Sequence, residues 1–295
     1  MPTFNDVVEE ILSNVQGFTA APDQVTSLTE AVTASATTFV VDEGEGMAAG
    51  LAEIGEELVW VRSFDETSST AQTLPAGRGW RGTTAAAHDA GTVVTISPAV
   101  PRSVVAREIN NVIRSLYPAI YSVATTEFSY DDYSVAGWDI PAAAEAILDV
   151  RWKDAEDNWL PVRRWSMEKS MNTTDHTTGT ALYLMGPQVG RTVQVVYAKK
   201  LSTISDATAE WTSCGLEDSA KDLLILGVIA RILPMLDVSR LSVTYAAADE
   251  MDQPRPLGSA AALAKQFKTD FTARLEQERD VLNRRYPARW HRVVR

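Results

Sequence analysis

The chain has 295 residues, of which 45% are hydrophobic and 22% charged, so it can bury a sizeable core divided over two or three lobes. Its apolar runs are far shorter than the roughly 20 residues that a bilayer requires, and we expect neither a membrane segment nor a signal peptide. A single cysteine, Cys214, excludes an intramolecular disulfide, fits folding in a reducing cytoplasm and leaves little for a soft-metal site.

The net charge of −12 is unevenly distributed along the chain. Residues 1–75 contain 13 acids and one base, Arg62, a difference equal to the net charge of the whole protein. The last twelve residues contain five arginines and no acid. The sequence therefore predicts an acidic front and a basic tail.

The first helix is predicted from Phe4 to Gln16, because apolar residues recur there at helical spacing. Thr3 can cap this helix together with Asp6, and Gly17 ends it. A glycine-rich, acidic β-lobe follows, and its predicted strands are Thr38–Val41, Leu58–Arg62, Thr70–Leu74 and Thr92–Ile96.

A second helix is predicted from Arg102 to Tyr117, after which a second β-lobe begins. The strands predicted in this lobe are Ala146–Lys153, Leu160–Trp165, Thr180–Met185 and Thr192–Lys199. The polar stretch from Asp154 to Asn158 indicates a hairpin turn.

Two helices close the chain, at about Leu216–Asp237 and Ser259–Tyr286. The first is apolar nearly all round, so it belongs either in the core or in a contact between subunits. The second carries a seam of apolar residues typical of a long packing helix, and Pro287 ends it.

The element order predicts an α+β protein in which four main helices form a hub that carries two β-rich insertions, because helices scattered along the chain must each bury an apolar face. The hub comprises residues 1–18, 99–119 and 214–286. The insertions are residues 24–98 and 120–205, and residues 287–295 form an exposed C-terminal arm.

One segment has the G-x-G-x-x-G spacing of a dinucleotide-binding loop, with glycines at positions 77, 79 and 82. That motif requires a following helix and an acid for the ribose. Here a predicted strand follows too soon for a crossover helix, so we expect a glycine-rich turn and no cofactor.

The remaining polar residues give no catalytic pattern. His88, His176 and His291 lie in turn-like, loop or tail segments and are interpreted as solvated or turn histidines, and no G-x-S-x-G elbow is present. Glu43, Glu45, Glu56 and Glu57 could hold a cation, but a solvated acidic face is the favoured interpretation. We therefore expect neither an enzyme nor a metal site.

The arginine tail carries the clearest binding signal, because arginine, tryptophan and tyrosine are the residues that anchor interfaces. Its predicted partner-binding residues are Arg284, Arg285, Tyr286, Arg289, Trp290, His291, Arg292 and Arg295. Contact with nucleic acid and a frayed, solubilising end are the alternatives for this segment.

In its element order the chain resembles the head–tail connector proteins of tailed bacteriophages, specifically the adaptor that rings the base of the portal. The segment Gly77–Thr92 (GRGWRGTTAAAHDAGT) also resembles an RG-x-x-GTTAAAH-x-x-GT turn of phage structural proteins. The two large β-lobes depart from the smallest adaptors.

The resemblance implies a structural virion protein of the neck, assembled in the host cytoplasm. It implies a homo-oligomeric ring, twelvefold as in the family, between the portal protein and the next connector or tail-terminator protein. Double-stranded DNA would pass through without sequence-specific binding, since like charges repel phosphate. The tail would dock on the portal.

A tail-associated protein that binds a host receptor or a saccharide is the alternative function. The second β-lobe contains a group of aromatic residues that could serve it: Trp138, Trp152, Trp159, Trp165, Tyr130 and Tyr133. Core packing explains most of these positions.

Overall fold

The computed structural model describes residues 2–19, 22–129, 137–184, 192–246 and 259–287. These residues form four α-helices: α1 (Phe4–Gln16), α2 (Arg102–Leu116), α3 (Lys221–Ala246) and α4 (Ser259–Arg285). The bounds predicted for α1, α2 and α4 are confirmed to within one residue. α3 begins later than predicted, at Lys221, and continues past the predicted end at Asp237 to Ala246.

The bounds of α1 are set by contacts between residues close in sequence, which is why they could be predicted. Thr3 accepts a hydrogen bond from the Asp6 N–H at 3.2 Å, and Asp6 accepts one from the Thr3 N–H at 2.7 Å, which forms the predicted capping box. The buried stripe of Phe4, Val7, Val8, Ile11 and Val15 anchors the helix along one face.

The first β-lobe is a six-stranded antiparallel sheet. Its strands are β1 (Gln24–Ser27), β2 (Thr38–Val40), β3 (Gly50–Ile54), β4 (Glu57–Asp65), β5 (Thr70–Thr73) and β6 (Val93–Ile96). They lie in the order β1-β6-β3-β4-β5-β2. Hydrogen bonds from Thr29 N to Val40 O and from Asp42 N to Ser27 O join the chain around β1 to that around β2, so the sheet closes into a barrel.

The barrel interior is filled by apolar side chains, which form a contiguous buried cluster. The cluster contains Leu28, Val32, Phe39, Val41, Met47, Ala52, Ile54, Val59, Val61, Ala71, Val94 and Ile96. Along β4, residues Val59 and Val61 face this core while Trp60 is exposed, as the twofold period of a strand requires. The sequence patterns had missed β1 and β3.

The second β-lobe contains two sheets, built from β7 (Ser122–Ser129), β8 (Trp138–Asp139), β9 (Ala144–Lys153), β10 (Trp159–Pro161), β11 (Trp165–Lys169), β12 (Thr180–Leu184) and β13 (Thr192–Lys199). One sheet has the order β10-β9-β13-β7 and the other the order β11-β12-β8. Side chains of both sheets share one buried cluster, which includes Val150, Leu182 and Val195.

The hairpin predicted at Asp154–Asn158 is confirmed. β9 and β10 pair antiparallel, and the Asp154 carboxylate accepts hydrogen bonds from the N–H groups of Glu156 and Asn158, both at 2.9 Å. The run Leu160–Trp165, predicted as one strand, is divided between β10 and β11.

The predicted helical hub is wrong. Strands arranged in three sheets dominate the described part of the chain. The apolar cluster inside the barrel and the one between the paired sheets both consist of strand and loop residues. The chain divides into two compact units: Met1–Val112, Asp206–Glu210 and Leu224–Asp270 form one, and Ile113–Ser205, Trp211–Leu223 and Phe271–Arg295 form the other. α2, α3 and α4 are each split by this division, so the helices do not form a unit of their own.

The physical reason for the error lies in what an amphipathic stripe specifies. Such a stripe shows that one face of a helix is buried, but a sheet or a loop covers it as well as another helix does. The apolar side chains of α3 from Leu223 to Leu236 are mostly buried within the single chain, which confirms the core interpretation of that helix.

Candidate interaction site

The glycine motif forms two short 3-10 turns, Pro75–Gly77 and Trp80–Gly82. Gly79 has φ +59°, and a Cβ at that position would lie 2.8 Å from the Thr83 carbonyl oxygen, so only glycine fits this close approach. Residues 83–92, all described, contain no helix. The turn interpretation is confirmed, and the geometry of a dinucleotide loop is absent from this stretch.

The motif's function in the fold is to place Arg78 and His88 around Glu57, a buried carboxylate at the start of β4. Arg78 donates from Nε and Nη2 to the two oxygens of Glu57, at 2.7 and 2.8 Å, and His88 Nε2 lies 2.8 Å from Oε2. The N–H groups of Gly79 and Ala86 also donate to Glu57.

The Glu57 cluster is electrostatically satisfied. Burial acts to raise the pKa of Glu57, but the hydrogen bonds from Arg78, His88, Ala86 and Gly79 outweigh it and hold the pKa at about 2. Arg78 donates in addition to the carbonyl oxygens of Thr33, Ala36 and Ala86, all within 2.9 Å. The cluster therefore holds loops of the barrel together.

Of the two alternatives, solvated or turn histidines, the structure excludes solvation for His88 and His176, both of which lie in segments outside the named helices and strands. His88 has only 10% of its side chain exposed and pairs with Glu57. His176 has 2% exposed, and its Nδ1 lies 2.6 Å from Asp139 Oδ1, although Asp175 is its neighbour in sequence. His291 lies outside the described residues.

Asp139 organises the loop between β11 and β12. It accepts hydrogen bonds from the backbone N–H and the hydroxyl of Thr177 at 2.9 and 2.7 Å, as well as contacting His176. The Thr177 hydroxyl bond contributes most to a lowered pKa of Asp139, although partial burial opposes it. The His176 Nε2 atom is buried without a hydrogen-bond partner in the described chain.

The four acids considered for a cation do not form one group. Glu57 is buried in its ion pairs, whereas Glu43, Glu45 and Glu56 are exposed. Within the described residues, no cluster of three or more histidine, cysteine, aspartate or glutamate side chains is arranged to hold a metal ion. In the same residues, no helix has the length and apolar character needed to cross a bilayer.

A cavity of about 410 Å³ lies at the C-terminal end of α4, and we call it the α4 groove. Three segments line it. They are Ile120–Thr125 at the start of β7, the stretch from Gly215 to Ala220, and the stretch from Glu278 to Tyr286, which covers the end of α4 and the residue that follows it. Leu216 and Ile120 form buried apolar walls, while 47% of Val281 is exposed. All these residues belong to one compact unit.

Ion pairs fix the rim of the α4 groove. Arg285 binds Glu217, and Arg274 binds Glu278 at 2.7 Å. Arg274 also donates to the carbonyl oxygen of Ser219 at 2.7 Å, which ties α4 to the segment before α3.

The α4 groove also has an open strand edge. β7 pairs with β13 on one side and has no strand neighbour on the other among the described residues. An edge strand next to a cavity with both polar and apolar walls is an arrangement to which extended peptides add as a further strand. Burial, with a smaller contribution from Tyr286, raises the pKa of Tyr121 on the wall.

The structure describes three of the predicted partner-binding residues. Arg285 and Tyr286 line the α4 groove, with Arg285 already paired to Glu217, and Arg284 is exposed beside them. Arg289, Trp290, His291, Arg292 and Arg295 lie outside the described residues. The groove itself was not anticipated, because its three walls come from distant parts of the sequence.

The aromatic residues considered for receptor binding are largely structural. Trp138 is 3% exposed and stacks on Phe128 with ring centroids 5.9 Å apart. Trp152 and Trp165 pack against the same core, and Trp159 lies below Lys153. Tyr130 and Tyr133 lie outside the described residues. The expectation that core packing explains most of these positions is confirmed for those described.

Comparison with known proteins adds no identification. No protein-family model matches the chain, and no curated protein sequence matches it significantly.

Proposed function

We propose that the protein is a structural component of a bacteriophage virion, a head–tail adaptor that forms a ring beneath the portal and joins the capsid vertex to the tail. The support is the resemblance of its element order and of the Gly77–Thr92 segment to phage structural proteins. In this proposal the portal and the next connector or tail-terminator protein are the partners, and the protein is not an enzyme.

The observation that carries the proposal is the position of the arginine tail. The tail begins at Arg284, and its residues Arg285 and Tyr286 line the α4 groove. A basic, tryptophan-containing segment that continues the chain from the wall of a groove with an open strand edge would offer a partner two complementary modes of contact, side-chain anchoring and strand addition. We propose that the portal is bound by this end of the molecule.

The buried charge clusters support a mechanical role. Glu57 with Arg78 and His88, and Asp139 with His176 and Thr177, use their polar groups to fix loops of the two β-lobes. A passage for DNA also requires a surface that does not bind phosphate, and the acidic residues of the first lobe would repel it.

The first test is deletion of Pro287–Arg295. We expect the truncated chain to keep the circular dichroism spectrum and melting temperature of the full-length protein, and to fail to complement a phage that lacks the gene. The control is the full-length chain with Arg163→Gln and Arg164→Gln, substitutions at two exposed arginines of the second lobe. Normal particles built with the truncated chain would contradict the docking role.

The second test measures the copy number in purified particles by quantitative mass spectrometry, relative to the major capsid protein. A single ring at one vertex predicts roughly a dozen copies. Hundreds of copies, as in a tube or a decoration protein, or complete absence from the particle would contradict the proposal.

A further inference from the structure

The barrel surface carries one basic and aromatic patch on an otherwise acidic lobe. Trp60 and Trp80 lie with ring centroids 5.5 Å apart and ring planes inclined by 38°. Trp60 is 41% exposed and Leu74 is 46% exposed. Together with the exposed Arg62 and Arg81 we call this surface the tryptophan patch.

The position of these residues on the barrel follows from its register. Val61 pairs with Thr73, so Leu74 lies next to Trp60 across β4 and β5. Arg62 lies at the irregularity between Val61 and Ser63, where a β-bulge leaves it unpaired and exposed.

The charge of the tryptophan patch contrasts with its surroundings. Residues 24–98 contain three bases, and one of them, Arg78, is buried against Glu57. The other two are Arg62 and Arg81, and neither forms an ion pair with any described residue. Two unpaired guanidinium groups beside an exposed indole and a half-buried one are characteristic of a contact surface for an acidic protein partner.

The same lobe carries the complementary charge at a different position. Asp42, Glu43 and Glu45, which we call the acidic loop, are exposed between β2 and β3 and have no cationic partner in the described chain. A Cβ on Gly44 would collide with the ring of Phe64, so this loop lies at the Asp65 end of β4. Within the tryptophan patch, Arg62 lies two residues before Phe64 on β4. Trp60, Leu74 and Trp80 lie further toward the Glu57 end, where Gly77 approaches the Trp60 carbonyl.

We infer that the tryptophan patch binds the acidic loop of a second copy of this chain. The tryptophan patch and the acidic loop are different parts of the barrel surface, and no ion pair joins them within the described chain, so a contact between them joins different residues of successive copies. A contact of this heterologous kind builds a ring where the rotation between successive copies closes around an axis, and an open filament where it does not. The inference rests on the proposed function only in naming the ring, because the contact itself needs no portal.

Charge exchange tests the contact with purified full-length protein, by sedimentation velocity and light scattering over a range of concentrations. We expect Arg62→Glu/Arg81→Glu to weaken self-association by at least about a hundredfold, because like charges would then face each other. Asp42→Lys/Glu43→Lys/Glu45→Lys should weaken it similarly. The pair Arg163→Glu/Arg164→Glu, equal in charge change but on the other lobe, should leave it unchanged.

Mixing the two charge-reversed variants gives the decisive measurement. In an equimolar mixture, the reversed patch of one variant meets the reversed loop of the other, and the native patch of the second meets the native loop of the first. Both contacts then join opposite charges, so association should return although neither variant associates alone. Trp60→Ala should weaken association at least about tenfold with all charges intact. Melting temperatures verify that each variant is folded, and added salt should weaken the wild-type contact in the absence of any substitution.

Three results would overturn the inference: a wild-type chain that stays monomeric at the highest attainable concentration, self-association that survives both charge reversals, or a mixture of the reversed variants that does not associate. Deletion of Pro287–Arg295 separates this contact from portal docking. The truncated chain should still self-associate, and it should lose only the ability to complement.

Discussion

Glu57 and Arg78 form a bidentate ion pair inside the first β-lobe, with 1% and 3% of their side chains exposed. Such a pair holds its geometry because each charge would be costly to bury alone. The nearest sequence neighbour of the same type, Glu56, is exposed. Two adjacent glutamates therefore lie in opposite environments, one buried in an ion pair and the other in solvent.

Glu57→Gln should destabilise the protein by about 3–5 kcal/mol, because it leaves the Arg78 guanidinium buried without a counter-charge. Glu56→Gln should change the free energy of unfolding by less than about 0.5 kcal/mol, as a surface substitution. Urea denaturation followed by circular dichroism measures both values. Equal effects of the two substitutions would show that the ion pair does not stabilise the lobe.

The raised pKa of the buried Glu53 should make the stability of the protein depend on pH. Its Oε1 accepts the Arg102 N–H at the start of α2 at 2.8 Å, and burial, which outweighs the lowering effect of Arg102, raises its pKa to about 7. Because this pKa lies above the unfolded value of 4.5, Glu53 stabilises the fold most at low pH, and that contribution is lost as the pH rises through 7.

Glu53→Gln should therefore gain stability relative to the wild type between pH 5 and 8, by up to about 3 kcal/mol. Thermal melts of the two proteins across this range measure the gain. Glu45→Gln, a change at an exposed carboxylate, supplies the matched control and should give a difference that is constant with pH. A constant difference for Glu53→Gln as well would refute the raised pKa.

Asp139→Ala should release the loop between β11 and β12, since it removes the acceptor for His176 and for both donors of Thr177. We expect a loss of about 1–3 kcal/mol and faster hydrogen exchange at the Thr177 amide. Asp175→Ala, at the exposed residue next to His176 in sequence, should leave exchange at that amide unchanged. Similar exchange rates in the two variants would contradict the role of Asp139.

Gly215→Ala should distort the wall of the α4 groove. Gly215 has φ +96°, and an added Cβ would lie 2.7 Å from the Ser122 hydroxyl oxygen. Both the conformation and the collision disfavour alanine, so we expect a destabilisation of more than about 1 kcal/mol. Gly17→Ala, at a residue with φ −59° where an added Cβ would lie 3.7 Å from the Asn14 carbonyl oxygen, an ordinary van der Waals distance, should be neutral or slightly stabilising. Chemical denaturation of both variants distinguishes the two cases.

Local signals in the sequence were sufficient where the determining contacts are local. The capping box of Thr3 and Asp6 fixed the start of α1, and the turn at Asp154–Asn158 fixed the hairpin of β9 and β10. The glycine spacing at 77–82 identified a turn because no helix pattern followed it. Each of these features depends on residues within a few positions of one another.

Contacts between residues far apart in the chain could not be predicted from sequence patterns. His88 binds Glu57, 31 positions earlier, and His176 binds Asp139, 37 positions earlier, so each histidine looked solvated when only its neighbours were considered. The α4 groove is likewise assembled from β7, the segment before α3 and the end of α4. Only the folded chain brings these groups together.

The amino-acid sequence by itself determined the acidic front, the basic tail and the bounds of three helices, because composition and helical periodicity are properties of neighbouring residues. The tertiary structure decided that strands rather than a helical hub organise the chain, that Glu57 is buried while Glu56 is not, and that Trp60 meets Trp80 on the barrel surface. The physical reason is that a periodic pattern specifies which face of an element is buried, whereas the partner on that face is chosen by long-range pairing.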